Sequence, residues 1–168
     1  MRVFGIDCNT KYLAIAMFED NKLVETIILP EDMNKGIRDP FTRLIKMMND
    51  FDDFLNSLFW WDGYNVKEYK GTKYAYVEEI PFVRSAKVMR DLCAVVACTR
   101  YVLNKHYISS TEVNVSLWKK ETIGNGKAQK EEVKAWVLAN IPNIDTALPQ
   151  DLYDAIAIAW RGVLVSGS

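Results

Sequence analysis

The sequence predicts an α/β fold: a five-stranded mixed sheet, three antiparallel strands first, flanked by helices. Residues 1–29 hold three short apolar runs separated by turn residues. Two later strand-like runs alternate with stretches whose apolar residues recur at helical spacing. The chain then closes on an apolar stretch with no Gly or Pro before Gly162.

Val3 to Asp7 is an apolar strand ending in a carboxylate, an unexpected residue for a core strand. Tyr12 to Phe18 follows, rich in Ala, Ile and Leu, and Glu19-Asp20-Asn21 turns the chain into a third strand, Lys22 to Leu29. Pro30 to Pro40 has the composition of a loop. Pro40 then opens a helix at its first position, running to about Trp60 on a stripe that includes Leu44, Met47, Phe51 and Leu55. Asp62 to Thr72 is a polar, glycine-punctuated tract, either a short hairpin or disordered. Tyr74 to Val77 is the fourth strand and again ends in acids, Glu78 and Glu79, before Pro81 breaks it. Phe82 to Lys105 has the pattern of a long helix. Glu112 to Leu117 alternates and is predicted as the fifth strand. A basic, glycine-containing segment, Trp118 to Lys130, leads into a helix over about Gln129 to Ala139, and a linker containing Pro142 precedes the last helix.

The 168 residues suit one domain, 1–168, with a proper core. Cys8, Cys93 and Cys98 are odd in number and lie in apolar surroundings, which predicts reduced thiols. With no signal-peptide pattern at the N-terminus and no run long enough to span a membrane, they predict an intracellular, cytoplasmic protein. His106 is the single histidine, so a His-based zinc site and most His-assisted nucleophilic mechanisms are excluded; near a helix end, it is expected to be structural or solvent-facing. A net charge of −1 does not announce a nucleic-acid partner. Divalent cations held by carboxylates would turn that charge positive.

In the last helix, Asp151 and Asp154 rise from one face, roughly 5–6 Å apart at Cβ. Two like charges at the start of a buried helix repel and raise their own pKa values, and the helix N-terminus compensates only in part. A bound cation would remove the conflict. Alone, an Asp near a helix start is more often a cap than a metal ligand. The pair gains meaning from the strand-end acids Asp7 and Glu78, because four carboxylates without His or Cys suit Mg²⁺ or Mn²⁺. Alternation sends Glu78 and Glu79 to opposite faces, so only one of them can join the site; Tyr76 shares the face of Glu78.

Four pieces together resemble the RuvC-like Holliday-junction resolvases of the RNase H-like superfamily: Gly5-Ile6-Asp7, Val77-Glu78, the Lys119–Lys130 segment, and Asp151-Leu152-Tyr153-Asp154-Ala155. They occur in family order and span almost the whole chain. The resemblance implies an RNase H-like fold and a homodimer that nicks opposing strands of four-way junctions or related branched DNA. It implies two Mg²⁺ ions per site, with Mn²⁺ substituting, held by Asp7, Glu78, Asp151 and Asp154, and no organic cofactor. Lys119 and Lys130 match the family's catalytic-segment lysines, with Lys130 counted among the catalytic residues. Lys120 and Lys127 join them as DNA contacts. Phe82 falls near the family's junction-stacking aromatic, although Pro81 shifts the register and Phe82 is equally a core candidate. The Phe82–Lys105 helix would lie in the dimer interface.

The interval from Asp7 to Glu78 is longer than in the bacterial enzymes, with Asp62–Thr72 as the insertion. The charge is mildly acidic for a DNA-avid protein. Both departures fit a viral or phage-type member acting in a bacterial or phage-infected cell. An actin-like kinase or ATPase would need two duplicated domains, more than this length holds. Another nuclease of the superfamily, cutting RNA/DNA hybrids, flaps or forks, and a non-catalytic nucleic-acid-binding module remain the alternatives.

Overall fold

The computed structural model describes residues 1–59 and 71–167, so most of the expected Asp62–Thr72 loop lies outside the described residues. Strands β1 (Arg2–Cys8), β2 (Leu13–Glu19) and β3 (Lys22–Leu29) open the chain. Helix α1 (Pro40–Phe59), strand β4 (Lys73–Glu78), helix α2 (Ala86–Lys105) and strand β5 (Ser109–Val113) follow. Helices α3 (Val115–Ile123), α4 (Lys130–Asn140) and α5 (Gln150–Ser166) complete it. The sheet order is β3-β2-β1-β4-β5. β1 pairs antiparallel with β2 and parallel with β4, and β5 is parallel to β4. This is the mixed sheet the pattern predicts.

Side-chain alternation divides the core into two layers. Phe4, Ile6, Ala75 and Val77 pack with Met47, Phe51 and Leu55 of α1 and Val95, Val96 and Leu103 of α2. On the opposite face Val3, Ala14, Ala16 and Tyr76 pack with Leu152, Ala155, Ile156 and Ala159 of α5. Each large aliphatic chain buried here contributes about 1.5–3 kcal/mol. No helix among the described residues is long and apolar enough to cross a membrane.

Gly5 sets the distance between β1 and α5. A Cβ at this position would lie 2.1 Å from the Ala155 carbonyl oxygen and 2.3 Å from the Ala159 backbone nitrogen. Only a glycine, opposite the small residues Ala155 and Ala159, lets the helix lie directly on the strand.

Three local expectations are corrected. The fifth strand ends at Val113, and Val115 to Ile123 is helix, because Asn114 caps it by accepting from the Ser116 backbone N–H. Helix α2 begins at Ala86 rather than Phe82, capped by Ser85. Cys93 is exposed rather than packed, although all three cysteines are free thiols. His106 ends α2 and its Nε2 lies 2.7 Å from Asp52 of α1, which also accepts from Lys105, so the histidine ties the end of α2 to the middle of α1.

Candidate metal centre

The two-layer packing determines which acids meet. Asp7 follows Val3 and Gly5 on the α5 side of β1, and Glu78 follows Tyr76 on the same side of β4. Helix α5 lies across both strands with Asp151 in its first turn. Asp7, Asp151 and Asp154 thereby each bring a carboxylate oxygen within 4.8 Å of the others. Glu78 stands outside that trio but next to Asp7, with which it interacts electrostatically. Glu79 is exposed and accepts from Asn114 Nδ2 at 3.0 Å, away from the cluster.

Charge crowding has the expected effect. Burial, and then the charges of Glu78, Asp151 and Asp154, push Asp7 well above the usual carboxylate range. Glu78 and Asp154 are also raised, again chiefly by burial. Asp154 is 8% exposed, and its Oδ1 has no hydrogen-bond partner among the described residues. A buried acceptor without a donor is costly, and a cation satisfies it. All donors here are carboxylate oxygens, the set hard divalent cations prefer. The residues fit such an ion.

The lysines divide into two pairs. Lys130, first residue of α4, donates from Nζ to Asp151 Oδ1 at 3.1 Å, and although burial opposes it, that contact raises the pKa of the ammonium group. Gln150 Nε2 donates to the Lys130 carbonyl at 2.9 Å and ties the starts of α4 and α5 together. Lys119 donates to the Ala128 carbonyl at 2.8 Å, and its charge lowers the pKa of both Glu78 and Asp154. Lys120 and Lys127 are exposed and make no hydrogen bond or ion pair to the acids among the described residues. Phe82 is 87% exposed, in the non-helical stretch before α2, so it is not a core residue.

Two contributors have no motif in the sequence. The Tyr12 hydroxyl donates to Asp151 Oδ2 at 2.6 Å, from the start of β2. Trp118, fully buried in α3, donates its indole N–H to Glu78 Oε1 at 3.0 Å. Alternation could have indicated Tyr12, which shares the α5 face with Ala14 and Ala16. Trp118 carries no such signal, because the alternation of Glu112 to Leu117 hides the helix that places it.

No protein-family model matches the sequence, and no curated protein sequence matches it. Solved structures do. The Thermus thermophilus RuvC structure superposes with a TM-score of 0.75 at 18% identity, covering 99% of this chain and 96% of that one. T. thermophilus RuvC in complex with a Holliday junction substrate gives the same score and identity, with 94% of that chain covered. The yeast mitochondrial Holliday junction resolvase Ydc2 aligns at a TM-score of 0.54 and 14% identity, over 98% of this chain and 80% of that one. The sheet order, the helix across its first and fourth strands and these superpositions agree: the chain has a RuvC-like, RNase H-like fold.

Proposed function

We propose that this protein is a divalent-metal-dependent endonuclease that resolves four-way DNA junctions and related branched DNA by paired phosphodiester hydrolysis. The observation that carries the proposal is the convergence of Asp7, Asp151 and Asp154 beside Glu78, with an unpartnered buried oxygen on Asp154 and two lysines at the edge. Asp7, Glu78, Asp151 and Asp154 would hold two Mg²⁺ ions, with Mn²⁺ substituting. Bound there, the ions supply Lewis-acid activation and charge neutralisation for in-line hydrolysis.

The chain's own residues do the rest. Tyr12 fixes the plane of the Asp151 carboxylate, and Trp118 holds Glu78 as an acceptor, since an indole N–H can only donate. Lys130, which donates to Asp151, would hold the scissile phosphate or its neighbour as a point charge. Lys119 sits between the acids and the α3–α4 turn, placed for a neighbouring phosphate, while Lys120 and Lys127 contact the backbone further out. Phe82, exposed beyond β4, would stack on a base at the junction centre, a contact worth about 1–3 kcal/mol. Cys93, Ala97 and Tyr101 recur every fourth residue on the exposed side of α2, the surface proposed to pair two copies so that opposing strands are nicked together.

The test is cleavage of a synthetic immobile four-way junction with Mg²⁺ or Mn²⁺, beside linear duplex, fork and RNA/DNA hybrid. Paired nicks on opposing strands, abolished by EDTA, are expected. Hybrid cleavage alone would move the activity to a ribonuclease, and binding without cutting would leave a DNA-binding module.

A further inference from the structure

Beside the acidic cluster lies a cleft of about 580 Å³, lined by four cationic residues, Lys11, Lys35, Arg38 and Arg43, and by no carboxylate. We propose that it is a second binding site, a seat for the phosphodiester backbone of one DNA arm; the assignment rests on the function proposed above.

The cleft has a fixed frame. Arg43 of α1 donates to the carbonyls of Thr10, Ile37 and Arg38, at 3.3, 3.1 and 2.8 Å. Asn34, 2% exposed, donates through Nδ2 to the Lys11 carbonyl at 2.8 Å and the Arg43 carbonyl at 3.3 Å. These bonds clamp the loop between β3 and α1 onto the β1–β2 connection. They hold Lys11, Lys35 and Arg38 at one surface, all three exposed. None of the three is in an ion pair among the described residues.

Asp32 feels the charge of Lys35 and Asp39 that of Arg43, but both acids have stronger partners elsewhere. Asp32 is committed to Lys46 at 2.6 Å, and Asp39 accepts from the Thr42 backbone and hydroxyl at the start of α1. Three free cations spread over two chain segments suit a run of phosphates better than one small anion.

Position gives the tract its role. Tyr12 lines the cleft and donates to Asp151 Oδ2, whereas Lys130 donates to Oδ1. The cleft and the lysine segment therefore reach the same carboxylate through its two different oxygens. Crowded carboxylates repel a polyanion, and a cationic tract at their edge offsets that repulsion and guides the backbone in.

The test is the salt dependence of binding to a fluorescent immobile four-way junction in EDTA, read by anisotropy. Each phosphate contact contributes about 0.9 to the slope of log affinity against log salt. The triple variant Lys11→Ala, Lys35→Ala, Arg38→Ala should lower that slope by about 2–3 and weaken binding at least about tenfold, with Mn²⁺ binding unchanged. A charge-keeping triple, Lys11→Arg, Lys35→Arg, Arg38→Lys, should retain the wild-type slope. An alanine triple with wild-type affinity and slope overturns the site while leaving the nuclease proposal intact. Wild-type protein that binds no DNA overturns both.

Discussion

The Tyr12 hydroxyl donates to Asp151 Oδ2 at 2.6 Å, while Lys130 holds the other oxygen of the same carboxylate at 3.1 Å. A side chain from the start of β2 thus orients an acid on α5, 139 positions further along the sequence. Hydrogen-bonding partners of metal ligands typically change metal affinity about 10–100-fold when removed. Tyr12→Phe removes the hydroxyl and keeps the ring. It should weaken Mn²⁺ binding at least about tenfold, with little change in melting temperature, as calorimetric titration and a thermal melt would record. Wild-type affinity in the variant would show that the bond does not position the carboxylate.

Trp118 plays the corresponding part for Glu78, since its N–H lowers a carboxyl pKa that burial raises. Trp118→Phe deletes the donor, so Glu78 should need a higher pH to ionise. The acidic limb of the pH–rate profile for junction cleavage should move upward, and the fold should lose about 1–3 kcal/mol from the smaller ring. An unmoved limb would separate Trp118 from the ionisation of Glu78.

The crowded acids also make a stability prediction for the ion-free protein. Asp7, Glu78 and Asp154 all titrate above their ordinary values, chiefly through burial. Above about pH 4 the unfolded chain has released these protons while the folded chain still holds them. Stability in EDTA therefore falls as pH rises from there through the raised values. Exposed Asp20, Asp32 and Asp39 are lowered by their partners, so their contribution is lost only as pH falls, in a lower window. Asp154→Asn should flatten the decline, melt above wild type at neutral pH in EDTA, and lose cleavage. A wild-type melting temperature that climbs steadily to neutrality would contradict this account of the cluster.

Gly5 is the packing counterpart. Its substitution by Ala places a methyl against α5 backbone atoms at 2.1 and 2.3 Å, which no rotamer change relieves. Overpacking typically costs about 1–3 kcal/mol, occasionally more. Gly5→Ala should cost at least the upper end of that range by urea unfolding, and weaken Mn²⁺ binding as α5 moves off β1. A variant as stable as wild type would mean that the helix does not sit this close.

Choosing Glu78 over Glu79 also drew on the family resemblance, whereas the meeting of Asp7, Asp151 and Asp154 was legible because strand ends and helical spacing give facing directly. The sheet was legible for the same reason. Helix α3 was not: Glu112 to Leu117 alternates like a strand, and the Asn114 cap that overrides it is a single residue. Helix α2 starts later than the expected Phe82 because the Ser85 side chain caps it by accepting from the Val88 N–H. The cationic cleft was hidden because Arg43 sits in the first turns of an apolar-striped helix and only the fold brings it to Lys11 and Arg38.

The central claim is that the four acids are held together for divalent cations. Titration of Mn²⁺ into EDTA-stripped, dialysed protein, followed by electron paramagnetic resonance, tests it most directly, with Asp154→Asn alongside. Two bound ions per wild-type chain are expected, with affinity at least about tenfold weaker or one ion lost in the variant. Equal binding by both proteins, or none by wild type at millimolar Mn²⁺, would contradict the claim and the function built on it.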